Sequence, residues 1–320
     1  MGGIIIKSIL DEFHILLGLD ISYMPKEYKN DIFHYTSPSG LDSILFEDFD
    51  GITLWASRYD CLNDMSEGVV AQYLYKEVCD DMRKKHEITD EMYSLIVGIS
   101  PARTKLIVKS EEENIKFRRL ECDRFVCSFS KNKDSLAMWN YYSKKNRYEG
   151  YNIGLTPIGL KKSLESVLID KDVSIHIYPI VYKKDEQIRL IKKLLLRLQE
   201  LYEEQYETSI RYVISNQLLE WSLVFKSEYF EHEEEIRIIV DVAKNIKGKP
   251  MDINYRNSHG LMIPYIKLKV DKPILKSVNI GPLQCGDKQK NLQNGILKER
   301  LSANNYLNVE TCYSKIPVRY

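Results

Sequence analysis

None of the six cysteines (61, 79, 122, 127, 285 and 312) has a partner at C-x-x-C spacing. That argues against a zinc knuckle and against a dense disulfide framework, and free thiols in a reducing cytoplasm are the expectation. No apolar run reaches 18 residues, so no membrane span is expected. The opening stretch MGGIIIKSILDEFHILLGL has no basic leader region and is interrupted by Lys7, Asp11 and Glu12. It reads as an amphipathic helix over 4–18, with Ile5, Ile9, Phe13 and Leu16 on one face, and not as a secretory signal. Net charge is missing too: Lys+Arg and Asp+Glu both number 46. No global basic field therefore points to nucleic acid, and only local patches remain available for it. There is no G-x-G-x-x-G and no regular strand–helix alternation, which disfavours a dinucleotide-binding parallel sheet. Pro and Gly are sparse, and neither a repeat nor a low-complexity linker divides the chain, so 1–320 reads as a single domain.

What is present is an ordinary globular composition, 44% hydrophobic and 29% charged, with 22 Tyr against 9 Phe. That tyrosine excess suits half-wet surfaces such as grooves. Periodicity predicts strands at 31–35, 52–57, 124–130, 151–155, 173–183, 233–242, 261–270, 275–282 and 307–318. It predicts helices at 38–47, 69–98, 186–220 and 287–303, and a short helix or turn at 135–143. Ser37 is the expected N-cap of the helix at 38–47, with Pro38 in its first position. Pro179 marks an edge strand or a bulge. Helices come early and in the middle and strands cluster late. The order predicts an α+β fold with a mixed, mostly antiparallel sheet, flanking helices and a helical insertion at about 186–220.

Five stretches carry more polar and aromatic detail than packing needs: HYTS (34–37), LWAS (54–57), LNDMSEG (62–68), CSFS…SLAMWNYYS (127–143) and EEEIR (233–237). Each falls at an element end, where rigid scaffolds hold chemistry. In an extended EEEIR, Glu233, Glu235 and Arg237 share a face. Either this is a solvated edge strand, or it is a carboxylate at a pocket rim held by Arg237. Of Tyr141 and Tyr142, one is expected to face the core and the other a flat ligand. Asp64 and Glu67 could ligate a metal, but their set of ligands is incomplete.

In this order the stretches resemble a family named domain of unknown function 2971. The residues that carry the resemblance are His34-Tyr35-Thr36, Leu54-Trp55-Ala56-Ser57, Asn63-Asp64…Glu67-Gly68, Cys127-Ser128-Phe129-Ser130, Met138-Trp139…Tyr142, Gly150…Ile153 and Glu233-x-Glu235-x-Arg237. Met65 stands where Pro is usual, and the cysteine motif is spread by one residue. An early His, a middle Tyr and a late strand Glu are also similar to the ADP-ribosyltransferase arrangement, which implies a split sheet holding NAD as substrate.

Carried over, that resemblance implies His34 at the nicotinamide ribose, Tyr142 stacked on nicotinamide and Glu235 at the ribose 2′-hydroxyl. Tyr35, Thr36, Trp55, Ser57, Tyr141, Glu233 and Arg237 would make further cofactor contacts. A protein or RNA acceptor, and a bacterial toxin or defence context, are implied in the same way. The residues leave two other readings open: a non-catalytic module for a nucleotide or peptide, and a metal-dependent nuclease or hydrolase using Asp64, Glu67, Glu233 and Glu235.

Overall fold

A computed structural model describes residues 26–62, 69–102, 105–111, 114–120, 122–142, 149–168, 173–202, 207–244, 251–258, 260–282 and 286–317, with side chains described outside 103–121. The expected helix at 4–18 lies outside these residues. Contacts divide the chain into two compact units, one of 1–26, 62–122 and 180–230, the other of 27–61, 123–179 and 231–320.

The first unit is built mainly of helices. Its elements are α2 (Val69–Lys84), α3 (Asp90–Ile96), the hairpin β3 (Lys105–Glu111) with β4 (Asn114–Leu120), α6 (Lys184–Glu200) and α7 (Glu207–Val224). The single helix expected over 69–98 is two. His86 adopts a left-handed φ of 55°, which ends the first, and Thr89 caps the second by accepting from the Met92 amide. Residues 186–220 likewise divide into α6 and α7. Helices α2 and α6 pack on each other, and Leu74, Val78, Ile191 and Leu195 on them are buried.

The second unit holds a ten-stranded, mostly antiparallel sheet. Its strands are β1 (Ile32–Thr36), β2 (Ile52–Arg58), β5 (Cys122–Ser130), β6 (Tyr151–Leu155), β7 (Val173–Pro179), β8 (Glu235–Ala243), β9 (Ile253–Ser258), β10 (Leu261–Val270), β11 (Leu275–Ile280) and β12 (Glu310–Tyr313). The helices of this unit are α1 (Pro38–Leu45), α4 (Leu136–Tyr142), α5 (Pro157–Val167) and α8 (Asp287–Ala303). The predicted α+β architecture is present. Ser37 caps α1 as expected, accepting from the Gly40 amide at 3.1 Å. A Cβ at position 40 would collide with Thr36 Oγ1, so the strand-to-helix turn needs glycine there. Strand β7 pairs with β8 alone, which fits Pro179 at a sheet edge.

One face of this sheet is apolar. Ile32, Leu54, Phe125, Cys127, Phe129, Ile153, Ile236, Ile238, Ile266 and Leu268 form its core, with Leu41 and Leu45 of α1, Leu160 and Leu164 of α5 and Leu301 of α8. Truncating any one of the buried leucines is expected to remove roughly 2–5 kcal/mol. The opposite face carries the polar residues, because side chains alternate along each strand.

Strand β5 has three partners. The Lys131 amide donates to the Glu234 carbonyl at 2.9 Å, and Arg124 pairs with Asp241 at 2.7 Å. Strand β8 therefore runs antiparallel along one edge of β5. The other edge is shared: β1 meets it at Ser130, while β2 meets it at Val126 and Phe125. Two strands cannot occupy one edge at one height, so the sheet forks over Cys127–Phe129.

Candidate functional site

The ten residues assigned to the NAD site all lie in the second unit. Three groups of them gather around the fork.

The first group surrounds Glu235. The expected alternation from Glu233 onward does not hold: residues 228–233 form a 3-10 turn, Glu234 takes a left-handed φ of 46°, and the strand begins at Glu235. The loop after β5 clasps this turn. Ser130 Oγ donates to the Glu233 carbonyl at 2.8 Å, and Asn132 Nδ2 donates to the Glu234 carboxylate at 2.9 Å. Glu235 and Arg237 do share a face, but they are not a solvated edge. They are only 5% and 3% exposed. Arg237 grips the carboxylate with both Nε (2.8 Å) and Nη2 (3.0 Å). A buried pair of this kind holds because the bidentate geometry replaces the water both charges lost.

Helix α4 brings the tyrosines to this pair. Tyr142 stays 44% exposed and Tyr141 56%, so neither ring is in the core. Crowding by surrounding atoms pushes the Tyr142 phenol above its ordinary value, and the carboxylates of Glu235 and then Glu233 push the same way. Tyr141 turns aside, its hydroxyl sharing a 2.8 Å hydrogen bond with His232 Nε2.

Helix α4 is itself anchored. Asp134 accepts from Trp139 Nε1 (2.8 Å), Ser314 Oγ (2.6 Å) and the Lys315 amide (2.8 Å). Trp139 meets Tyr35 edge-on, at 4.6 Å between centroids. Tyr35 is a buried pillar, donating to the Asn132 carbonyl and accepting from the Ser135 amide, and burial is the main cause that pushes its pKa up to about 12. This corrects the expectation of a cofactor contact at Tyr35.

The second group is His34. Alternation along β1 sends Phe33 and Tyr35 to the side of Ser130 and sends His34 to the side of Ile32 and the core. Its ring packs against Phe129 at 5.3 Å. Its Nδ1–H donates to the Ser128 carbonyl at 3.0 Å, inside the fork. Burial lowers its pKa, and the Ser128 bond partly opposes that shift. His34 therefore occupies the gap left by diverging strands, and no described contact joins it to Glu235. Thr36 shares its side of β1 and is buried beneath Gly40.

The third group lies on β2. Trp55 stacks on Tyr265 (4.5 Å, 28°), and Arg256 Nη2 donates to Ser57 Oγ at 2.9 Å. Sequence reasoning found Trp55 and Ser57 but missed Arg256, Tyr265 and Asp134. The NYRNS run of β9 shows no apolar alternation. Asp134 could have been found as the acidic residue just before a helix start.

Among the described residues no group of three or more His, Cys, Asp or Glu could hold a metal ion. Asp64 and Glu67, the remainder of the metal alternative, lie outside those residues. No described helix is long and apolar enough to cross a membrane. Among curated proteins and solved structures, none matches the chain. The family model described as "Protein of unknown function (DUF2971)" matches residues 138–238, from α4 through the Glu235–Arg237 pair, and that span is similar to this family.

Proposed function

We propose that the chain cleaves NAD, in the manner of an ADP-ribosyltransferase, at the Tyr142–Glu235 pair. The observation that carries this reading is a half-exposed Tyr142 on α4, next to a Tyr141 whose hydroxyl is bonded to His232 in the turn that leads into Glu235. In the proposed reaction the nicotinamide–ribose bond breaks and its electron pair leaves with the nicotinamide nitrogen. The ribose becomes oxocarbenium-like, and an acceptor hydroxyl or water attacks C1′ and gives up its proton to solvent water. Carboxylate potential near the sugar favours that transition state, as it does in glycosidases. The Tyr142 ring offers the aromatic face on which nicotinamide stacks. The ribose-orienting role expected of His34 is not retained, since its ring sits on the core side of β1. It holds the fork instead.

A second reading, a nucleotide-binding module without turnover, is favoured by one feature. Both Glu235 oxygens are engaged by Arg237, which weakens the carboxylate as a base. Calorimetric titration with NAD and a nicotinamide-release assay on the full chain separate the two readings. Cleavage predicts release by the parent protein and, in Glu235→Gln, NAD binding with the rate reduced by about a hundredfold or more. Binding without release selects the module, and absence of both rejects each.

A further inference from the structure

Five arginines of the second unit are described. Four have a carboxylate: Arg58 with Asp60, Arg124 with Asp241, Arg237 with Glu235 and Arg300 with Asp42. Arg256 has none among the described residues. Its partners are neutral, the Ser57 hydroxyl at 2.9 Å and the face of Trp55 at 6.0 Å. A guanidinium held by a hydroxyl and a ring is oriented without being neutralised, and its remaining N–H donors stay available to an anion.

A second cation lies on the same face. Lys267 is directly across the ladder from Trp55, is exposed, and also has no carboxylate partner among the described residues. The next lysine on that face, Lys269, is paired with Asp48 at 2.5 Å. Strand register places Trp55, Ser57, Tyr265, Arg256 and Lys267 on the face away from Leu54, Ala56 and Ile266. Two cations without a carboxylate partner among the described residues therefore share a face with a stacked aromatic pair, and the Ser57 hydroxyl fixes one of them.

We propose that this face of β2, β9 and β10 binds the phosphoryl groups of a nucleotide, with Arg256 and Lys267 as the anion ligands and Ser57 as the residue that aims Arg256. A guanidinium fork and an ammonium on the same face suit a pyrophosphate, which spreads its charge over several oxygens. The site requires no chemistry at Glu235 and so goes beyond the reading above. If nicotinamide release fails while this binding holds, only that reading falls.

Titration calorimetry of the full chain with ADP, inorganic pyrophosphate and adenosine tests the site. ADP and pyrophosphate are expected to bind, adenosine far more weakly, with affinity falling as salt rises. Arg256→Gln should weaken ADP binding by about tenfold or more, since a charge-assisted contact is lost. Lys267→Gln should weaken it by a smaller factor, and both variants should keep the parent's circular dichroism because their side chains are exposed. Equal affinity of the Arg256→Gln/Lys267→Gln double variant and the parent overturns the proposal. So does the absence of any ADP or pyrophosphate binding at millimolar ligand. Binding of a short single-stranded RNA without binding of ADP also overturns it and reassigns the face to a polymer.

Discussion

Arg237 and Arg256 sit in the same unit and face opposite fates. Arg237 is buried, and both of its contacts with Glu235 are charge-assisted. Arg256 is exposed and leans on a hydroxyl and a ring. A buried guanidinium without its carboxylate is costly, so Arg237 is bound to Glu235 by the fold itself. An exposed one loses little by waiting for a ligand. The contrast separates a charge that serves structure from one available for recognition, and residue type alone does not make that distinction.

The sharpest way to break the contrast is Glu235→Ala. It strands the Arg237 charge and should lower unfolding free energy by about 3–5 kcal/mol in urea titration. Glu235→Met with Arg237→Leu should recover most of that loss, because two apolar groups then fill the same space. If the single variant is as stable as the parent, the pair is not the buried unit described.

Asp134→Ala comes next, at about 1.5–3 kcal/mol by the same measurement, since three donors lose a charged acceptor. Near-ultraviolet circular dichroism from Trp139 should change with it. Smaller again is the contribution of His34. Its folded pKa is depressed, so below its unfolded value of 6.5 the unfolded chain binds the extra proton. Stability should fall as pH drops from about 6.5, by at most about 1.4 kcal/mol per unit, and be flat above. Comparing urea midpoints of the parent and His34→Gln across pH 5–8 isolates the slope, and an unchanged slope refutes the assignment. Arg256→Gln closes the series: its stability should lie within about 0.5 kcal/mol of the parent, which completes the contrast with Arg237.

Much of this was legible in the residues. Ser37 and Pro38 announced α1, and alternation announced β5. The pairing of Glu235 with Arg237 followed from their two-residue spacing. The membership of Glu233 in that strand did not, because a left-handed residue at 234 resets the alternation and no glycine marks it. Helix α5 is not among the expected elements, although Thr156, Pro157, Leu160 and Leu164 carry the spacing of a helix start and a buried stripe. The orientation of His34 was out of reach for another reason. It depends on which edge of β5 each neighbour takes, a decision made by residues a hundred positions apart.

That fork also sets how the molecule is made. Strand β5 draws its three neighbours from residues 32–36, 52–58 and 235–243, so none reaches it through a tight hairpin. During synthesis it must wait for more than a hundred further residues before β8 can close its second edge. Assembly of this sheet is therefore governed by distant loop closure and not by local turns, which makes slow folding, with β5 exposed in the meantime, an intrinsic property of this topology.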